Sequence, residues 1–234
     1  MKNIGTILVC LALALCLLFS LASCGQENKP EPSADRNRTD EASPSAGSTA
    51  DEAEKNAGDG RALVVYFSRT GEQYTVGVID KGNTAIVAEM IAEQAGADLF
   101  ELLPANDHYP MTYDALTDVA MREQNEGARP EYAGDLPDLN GYDTIFMGAP
   151  VWWGDWPMIM YTFFENNAGA LSGKTLVPFS THEGSGLSGF DKKLAKACPD
   201  AEVLKGLAVR GNDCQNRQDS VRKDVTAWLD ELGY

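Results

Sequence analysis

The chain has 234 residues, 44% of them hydrophobic, and a formal net charge of −16 at pH 7. That length allows one domain or a small pair. The acidic balance, with no Lys/Arg stripe, argues against a nucleic-acid partner and leaves a solvated acidic surface as the plain reading.

Residues 1–23 read as a secretory leader: Lys2 precedes an apolar run from Ile4 to Ala22, closed by small residues. Leu21-Ala22-Ser23-Cys24 resembles the lipobox of bacterial lipoproteins, which implies cleavage before Cys24 and acylation of its thiol. The alternative is an uncleaved transmembrane helix, since about 19 apolar residues can just span a bilayer. In both cases Lys2 is expected to stay inside, placing the rest of the chain outside the cytoplasm. One acyl chain anchors weakly, so a lipid anchor here needs more than one. Residues 24–60 are rich in Ser, Asp, Glu, Asn, Pro and Ala, without an aromatic or aliphatic cluster. Such a stretch cannot bury enough surface to offset its ordering entropy and reads as an acidic tether. Residues 61–234 are left as one folded domain, long enough to bury about 70% of its unfolded surface.

Within that domain apolar runs alternate with helical patterns, the signature of parallel strands joined by crossover helices. Ala62–Phe67 is a continuous apolar run, as for a strand covered on both faces. Thr84–Ala95 is predicted helical, with Ile86, Val87, Met90 and Ile91 on one face and Gly96 as a stop. Leu99–Leu103 reads as a strand, Tyr113–Glu126 as a helix and Thr144–Ala149 as the third strand. Asp155 is expected to cap the next helix, with Pro157 in its first turn. Thr175–Thr181 is the fourth strand, although Pro178 should cost a ladder bond there unless a bulge forms or a neighbour has ended. Gly189–Ala197 is helical, and Val203–Val209, which holds Lys205 and Gly206, suits an edge strand. Val221, Val225, Trp228, Leu229 and Leu232 form the apolar face of a closing helix. The expectation is an α/β doubly wound, five-stranded parallel sheet in the order 2-1-3-4-5, with a ligand crevice at the carboxyl ends of the strands.

Cys10 and Cys16 fall in the leader, which leaves Cys198 and Cys214 in the domain. They flank the predicted strand Val203–Val209. Seven extended residues span roughly 23 Å, whereas a disulfide needs Cα atoms within about 7 Å. Both thiols are expected to be unpaired.

Chemistry should sit in the loops that leave strands one, three and four. The first is Ser68-Arg69-Thr70-Gly71, followed after an excursion by Gly82-Asn83-Thr84 at a helix start. Hydroxyls, a glycine turn and free amides at a helix start suit an anion. Between them Glu72–Gly82 intervenes, with Thr75–Ile79 reading as a short extended segment. The second loop is Pro150-Val151-Trp152-Trp153-Gly154. Consecutive residues rarely face the same way, so one indole should pack inward and the other offer a flat face to a planar ligand. The third is the polar, Gly-rich Thr181-His182-Glu183-Gly184-Ser185-Gly186, where backbone can approach a ligand edge.

Together with Tyr66-Phe67 and Gly148-Ala149, these loops resemble the FMN site of flavodoxin-like proteins. They look like those of the bacterial flavodoxin-like group that shares Trp-Trp and Thr-His-Glu-Gly-Ser-Gly loops. The resemblance covers essentially all of residues 61–234. It implies that Ser68, Arg69, Thr70, Gly71, Asn83 and Thr84 hold the FMN phosphate. It further implies that Pro150, Val151, Trp152, Trp153 and Gly154 line one side of the isoalloxazine. Thr181, His182, Glu183, Gly184, Ser185 and Gly186 would line its other edge.

Other patterns fail on context. Ala168–Thr175 fits a loose nucleotide-loop pattern, but that mechanism needs a strand before the loop and a helix after it, the reverse of the order here. A nucleophile elbow at Ser185 would need a glycine two residues earlier, where Glu183 stands. His108 and His182 are the two histidines, and no His or Cys pair has metal-ligand spacing. His108 and Lys174 read as solvated surface residues, and Asp107, Asp114 and Asp118 as a solvated acidic face.

The expected function is FMN-based electron transfer, the cofactor doing the chemistry while the protein fixes and shields the ring. The partner would be a redox protein or a small-molecule acceptor. One alternative is an oxidoreductase passing electrons from a nicotinamide donor to quinone-type acceptors. Another is a flavin-free extracellular binding module.

Overall fold

The computed structural model describes residues 60–234. The expected leader, the lipid site Cys24 and all of the tether except Gly60 lie outside the described residues. Among the described residues no helix is long and apolar enough to cross a membrane.

In chain order the elements are β1 (Ala62–Tyr66), β2 (Gly71–Gln73), β3 (Gly77–Ile79), α1 (Asn83–Ala95), β4 (Asp98–Glu101), β5 (Leu103–Pro104) and α2 (Tyr113–Glu126). They continue as β6 (Tyr132–Ala133), a 3-10 turn at Leu139–Gly141, β7 (Thr144–Pro150), α3 (Met158–Asn166), α4 (Ala168–Leu171) and β8 (Thr175–His182). The chain closes with α5 (Phe190–Ala197), β9 (Glu202–Val203), β10 (Leu207–Arg210), α6 (Gly211–Asn216) and α7 (Gln218–Leu232).

The main sheet runs β10-β8-β7-β1-β4, with β9 also on the outer side of β8, and every pairing in it is parallel. With β9 and β10 taken as one interrupted strand, this is the expected order 2-1-3-4-5. β1 is buried along its whole length. Its side chains alternate between two cores, Leu63 and Val65 in one, Ala62, Val64 and Tyr66 in the other. The first core takes Leu116 of α2, Ile159, Phe163 and Phe164 of α3, and Phe190 and Leu194 of α5. The second takes Ile86, Val87 and Ile91 of α1 and Val221, Val225, Trp228 and Leu229 of α7. Each of the large apolar side chains contributes about 1.5–3 kcal/mol by leaving water. Cys198 and Cys214 are free and buried, and burial pushes their thiols up to about 11 and about 12.

Four local expectations need correction. The strand expected over Leu99–Leu103 ends at Glu101; Leu103–Pro104 instead pairs antiparallel with β6. Helix α3 starts at Met158 with Pro157 in the cap position, so Asp155 is not its cap. Asp155 Oδ1 accepts instead from the Trp156 N–H at 2.8 Å and from the Tyr161 hydroxyl at 2.9 Å. The edge strand is broken between Val203 and Leu207. At the break, a Cβ on Gly206 would stand 2.7 Å from the Pro178 carbonyl and 3.0 Å from its ring. The missing N–H of Pro178 therefore faces the gap, not an intact ladder, and a side chain at Gly206 is excluded. Lys174, expected to be solvated, donates to the Tyr142 carbonyl at 2.5 Å.

Candidate functional site

The carboxyl ends of β1, β7 and β8 bring the three predicted loops to one end of the sheet. The turn after β1 is drawn against the start of α1 by Gly82. A Cβ there would lie 2.8 Å from the Arg69 carbonyl and 3.1 Å from its amide nitrogen. Ser68 Oγ accepts from the Ala85 amide at 3.1 Å, which ties the turn to the helix start. The amides of Ser68, Arg69 and Thr70 have no backbone acceptor among the described residues. The Asn83 and Thr84 amides open α1, where no earlier helical carbonyl can receive them. Free donors at a 13-residue helix N-terminus concentrate positive potential.

The side chain of Arg69 is anchored away from the turn. Its guanidinium makes two bonds to Asp107, at 2.9 and 3.0 Å, and a third to the Tyr109 carbonyl at 2.9 Å. The side chain is 10% exposed, and Nε is buried without a partner among the described residues. Asp107 is thus paired, not a free acidic face.

The same connection holds His108, which is not a free surface residue. Its Nδ1 bonds the Asn106 carbonyl at 2.9 Å and its Nε2 bonds Glu123 Oε1 at 2.8 Å. Both ring nitrogens face acceptors, so the charged ring is favoured and the pKa is raised, first by the Asn106 carbonyl and then by Glu123. Glu123 Oε2 also accepts from the buried Tyr109 hydroxyl at 3.0 Å.

The Trp loop divides its indoles as expected. Trp152 packs edge-on against Phe67 and Tyr109, with centroids 5.3 and 5.2 Å away. Reciprocal backbone bonds of 2.9 Å join Trp152 and Asp155. The two residues between, Trp153 and Gly154, have φ of 50° and 74°. Positive φ at both central positions is the pattern of a type I′ turn, which usually takes Asn or Gly. Trp153 holds the strained position, 52% exposed, with Nε1 donating to the Thr117 carbonyl at 2.9 Å.

At the end of β8, Thr181 Oγ1 meets Thr84 Oγ1 at 2.8 Å. The Gly184 amide donates to His182 Nδ1 at 2.9 Å, which needs a neutral ring; burial lowers the His182 pKa in the same sense. Glu183, expected at a ligand edge, points to α6 instead: Oε1 accepts from the Asn212 amide and Oε2 pairs with Arg210 at 3.2 Å.

A cleft of about 310 Å³ opens between these loops. Its sheet-side wall is Pro150–Gly154 together with Thr181, His182, Glu183 and Ser185, and Asn83 reaches it from α1. Ser68, Arg69, Thr70, Gly71, Thr84, Gly184 and Gly186 are not part of the lining. Gln73, Tyr74, Tyr113, Leu116, Thr117 and Ala120 complete the lining, none of them among the expected site residues. Tyr74 belongs to the Glu72–Gly82 excursion, which folds as the β2–β3 hairpin. An aromatic in so polar a segment was the available signal.

The profile of the Flavodoxin family matches residues 61–232. The chain belongs to the Flavodoxin family. No curated protein matches it. Among solved structures, a candidate flavoprotein of Bacteroides eggerthii shares 29% identity and superposes with a TM-score of 0.60, the match covering 75% of this chain and 99% of that one. A candidate flavoprotein of Bacteroides uniformis shares 29% identity with a TM-score of 0.55, over 73% of this chain and 98% of that one. A Lactobacillus acidophilus flavoprotein crystallised with FMN shares 22% identity with a TM-score of 0.51, over 68% and 99%. The last likeness is one of fold. In this member of the family, the excursion between the turn after β1 and α1 adds Gln73 and Tyr74 to the cleft lining.

Proposed function

We infer that the domain binds FMN and works as an electron carrier, tethered outside the cytoplasm by lipid on Cys24. The observation that carries the FMN reading is the donor-rich turn after β1. Its free amides and the start of α1, joined by the bond from the Ala85 amide to Ser68 Oγ, offer the donors a phosphate would take. Membership of the Flavodoxin family points the same way.

FMN, once bound, supplies the capacity to take up and release one or two electrons. The chain's residues do the rest. Ser68, Thr70, Asn83 and Thr84 would hold the phosphate through amides and hydroxyls, and Arg69 through its backbone. Asp107 fixes the Arg69 guanidinium, so the turn keeps its shape. Trp153, raised by its turn, offers an aromatic face to the ring, while Thr181–Gly186 brings backbone and a neutral His182 to the other edge. The acidic chain disfavours extra negative charge in the cleft, which lowers the potential relative to free FMN. Lipid on Cys24 and the acidic tether would keep the domain near a membrane, within reach of a redox protein or a small acceptor.

The test is an FMN titration of the full chain followed by flavin fluorescence. Quenching that saturates at one FMN per chain, and weakens in Trp153→Ala, supports the reading. No quenching and no co-purified flavin overturns it in favour of a flavin-free binding module. Metabolic labelling with a fatty acid, lost in Cys24→Ala, checks the anchor separately.

A further inference from the structure

Three contacts join the connection between β5 and α2 to the turn after β1 and its exit. Asp107 and the Tyr109 carbonyl hold the Arg69 guanidinium, and the Met111 carbonyl accepts from the Glu72 amide at 2.8 Å. Gly71 lies so close that a Cβ on it would stand 2.7 Å from the same Met111 carbonyl. The shape of the turn therefore depends on where this connection lies.

Behind these contacts stands a second group of side chains that the flavin reading does not use. The Tyr109 hydroxyl donates to Glu123 Oε2 at 3.0 Å, and His108 Nε2 meets Glu123 Oε1 at 2.8 Å. The other imidazole nitrogen meets the Asn106 carbonyl at 2.9 Å. The His108 ring lies 4.5 Å from the Tyr109 ring, and the Arg69 guanidinium lies over that same tyrosine at 5.3 Å. Residues 106–109 are thus clasped to α2 through Glu123 and to the turn through Arg69. The His108 side chain is 46% exposed and that of Glu123 8%, so solvent protons reach the ring while its partner stays buried.

Protonation of His108 changes this clasp in two ways. A charged ring donates from both nitrogens. A neutral one donates from a single nitrogen, leaving either the Asn106 carbonyl or Glu123 without its donor. The charge balance changes as well. Glu123 from α2 and Asp107 from the connection face the ring, and Arg69 from the turn completes the cluster. With His108 charged, two cations balance two carboxylates. With His108 neutral, one negative charge is left uncompensated beside the turn, where it repels a phosphate dianion.

We propose that His108 is a positioning residue for the FMN phosphate: its charged form closes the clasp that sets the turn after β1, so FMN binding tightens when this ring takes a proton. The proposal rests on the FMN reading and adds the regulation of that site.

The test is an FMN titration of the full chain in detergent from about pH 5.5 to about pH 8.5, wild type beside His108→Gln, whose neutral amide cannot take the proton. The FMN phosphate and His182 titrate in both proteins, so the ratio of wild-type to variant affinity isolates His108. That ratio should fall about threefold from acid to alkaline pH, the scale of one part-exposed charge pair. The His108 ring is followed by NMR in parallel, with and without FMN. By reciprocity, bound FMN should weaken proton dissociation from the ring by the same factor. A ratio that stays flat with pH overturns the proposal, and a flat ratio above one marks a structural role only. A His108 titration that FMN leaves unchanged overturns it too. A wild-type chain that takes FMN at no pH overturns the function proposed above as well.

Discussion

Thr84 and Thr181 share a buried hydrogen bond of 2.8 Å between their hydroxyls. It links the first turn of α1 to the end of β8, and so ties the donor-rich turn to the third loop of the site.

Removing one hydroxyl leaves the other buried without its partner, which costs about 1–3 kcal/mol. Thr84→Val and Thr181→Val should each lose about that much in urea denaturation. The double variant should lose less than the sum of the two, and that coupling is the quantity to measure.

Gly82 has an ordinary φ of −64°, so Gly82→Ala tests close approach and not backbone strain. The new methyl would press on the Arg69 backbone, 2.8 Å from its carbonyl. Because backbone cannot move aside cheaply, the turn should open. FMN affinity should fall about tenfold or more, the effect of about 1.4 kcal/mol, while the main sheet stays folded by circular dichroism. Unchanged affinity would separate the turn from phosphate binding.

The two histidines should give opposite pH dependences. The His108 pKa is raised from 6.5, so its pairing with Glu123 is fully present below that value and is lost as pH rises through the folded pKa. His108 is 46% exposed in its side chain, so the loss should be no more than about 1 kcal/mol. The His182 pKa is lowered from 6.5. Its bond from the Gly184 amide is present above that value and lost as pH falls through the folded pKa. Stability curves of His108→Gln and His182→Asn, measured from pH 5 to 9, should lose the alkaline and the acid decline respectively.

Trp152 and Trp153 should separate stability from binding. Trp152→Ala removes the ring that Phe67 and Tyr109 pack against, at about 2–4 kcal/mol. Trp153→Gly relieves a left-handed φ and should be neutral or stabilising by up to about 1 kcal/mol, yet weaken FMN. Thermal melts beside flavin titrations give both readings from the same samples.

The strands were legible because their side chains meet packed helices on both faces, so β1, β7 and β8 read as near-continuous apolar runs. Helix α2 was legible to the residue: its apolar spacing ends where Gly127 takes a left-handed φ of 62°. The break at Gly206 was hidden because its cause, Pro178, lies on the neighbouring strand. Pro178 conflicts with an intact ladder on type alone, but which neighbour yields is decided by the packing of Gly206 against it. The start of α3 was misplaced because Asp155 is a good cap by type, while its carboxylate is taken by Trp156 and Tyr161. The three loops were legible as loops from residue type and spacing, and the ends of β1, β7 and β8 bring them to one end of the sheet. The partners of Arg69 and Glu183 were not, since Asp107 and Asn212 are brought to them only by folding. Tyr74 left a signal as an aromatic in a polar segment, but its stacking on Tyr113 left none, because that pair exists in space and not in any one segment.

The gap between β9 and β10 also decides how the molecule meets its own copies. A sheet edge is an open row of hydrogen-bonding groups, and a long flat one recruits strands from other chains. Here one edge is cut into strands of two and four residues, with Lys205 standing in the gap. The other edge, β4, is four residues long and bears Asp98 at its start and Glu101 at its end. Neither offers a stranger a full-length partner, so edge-to-edge pairing between copies is disfavoured.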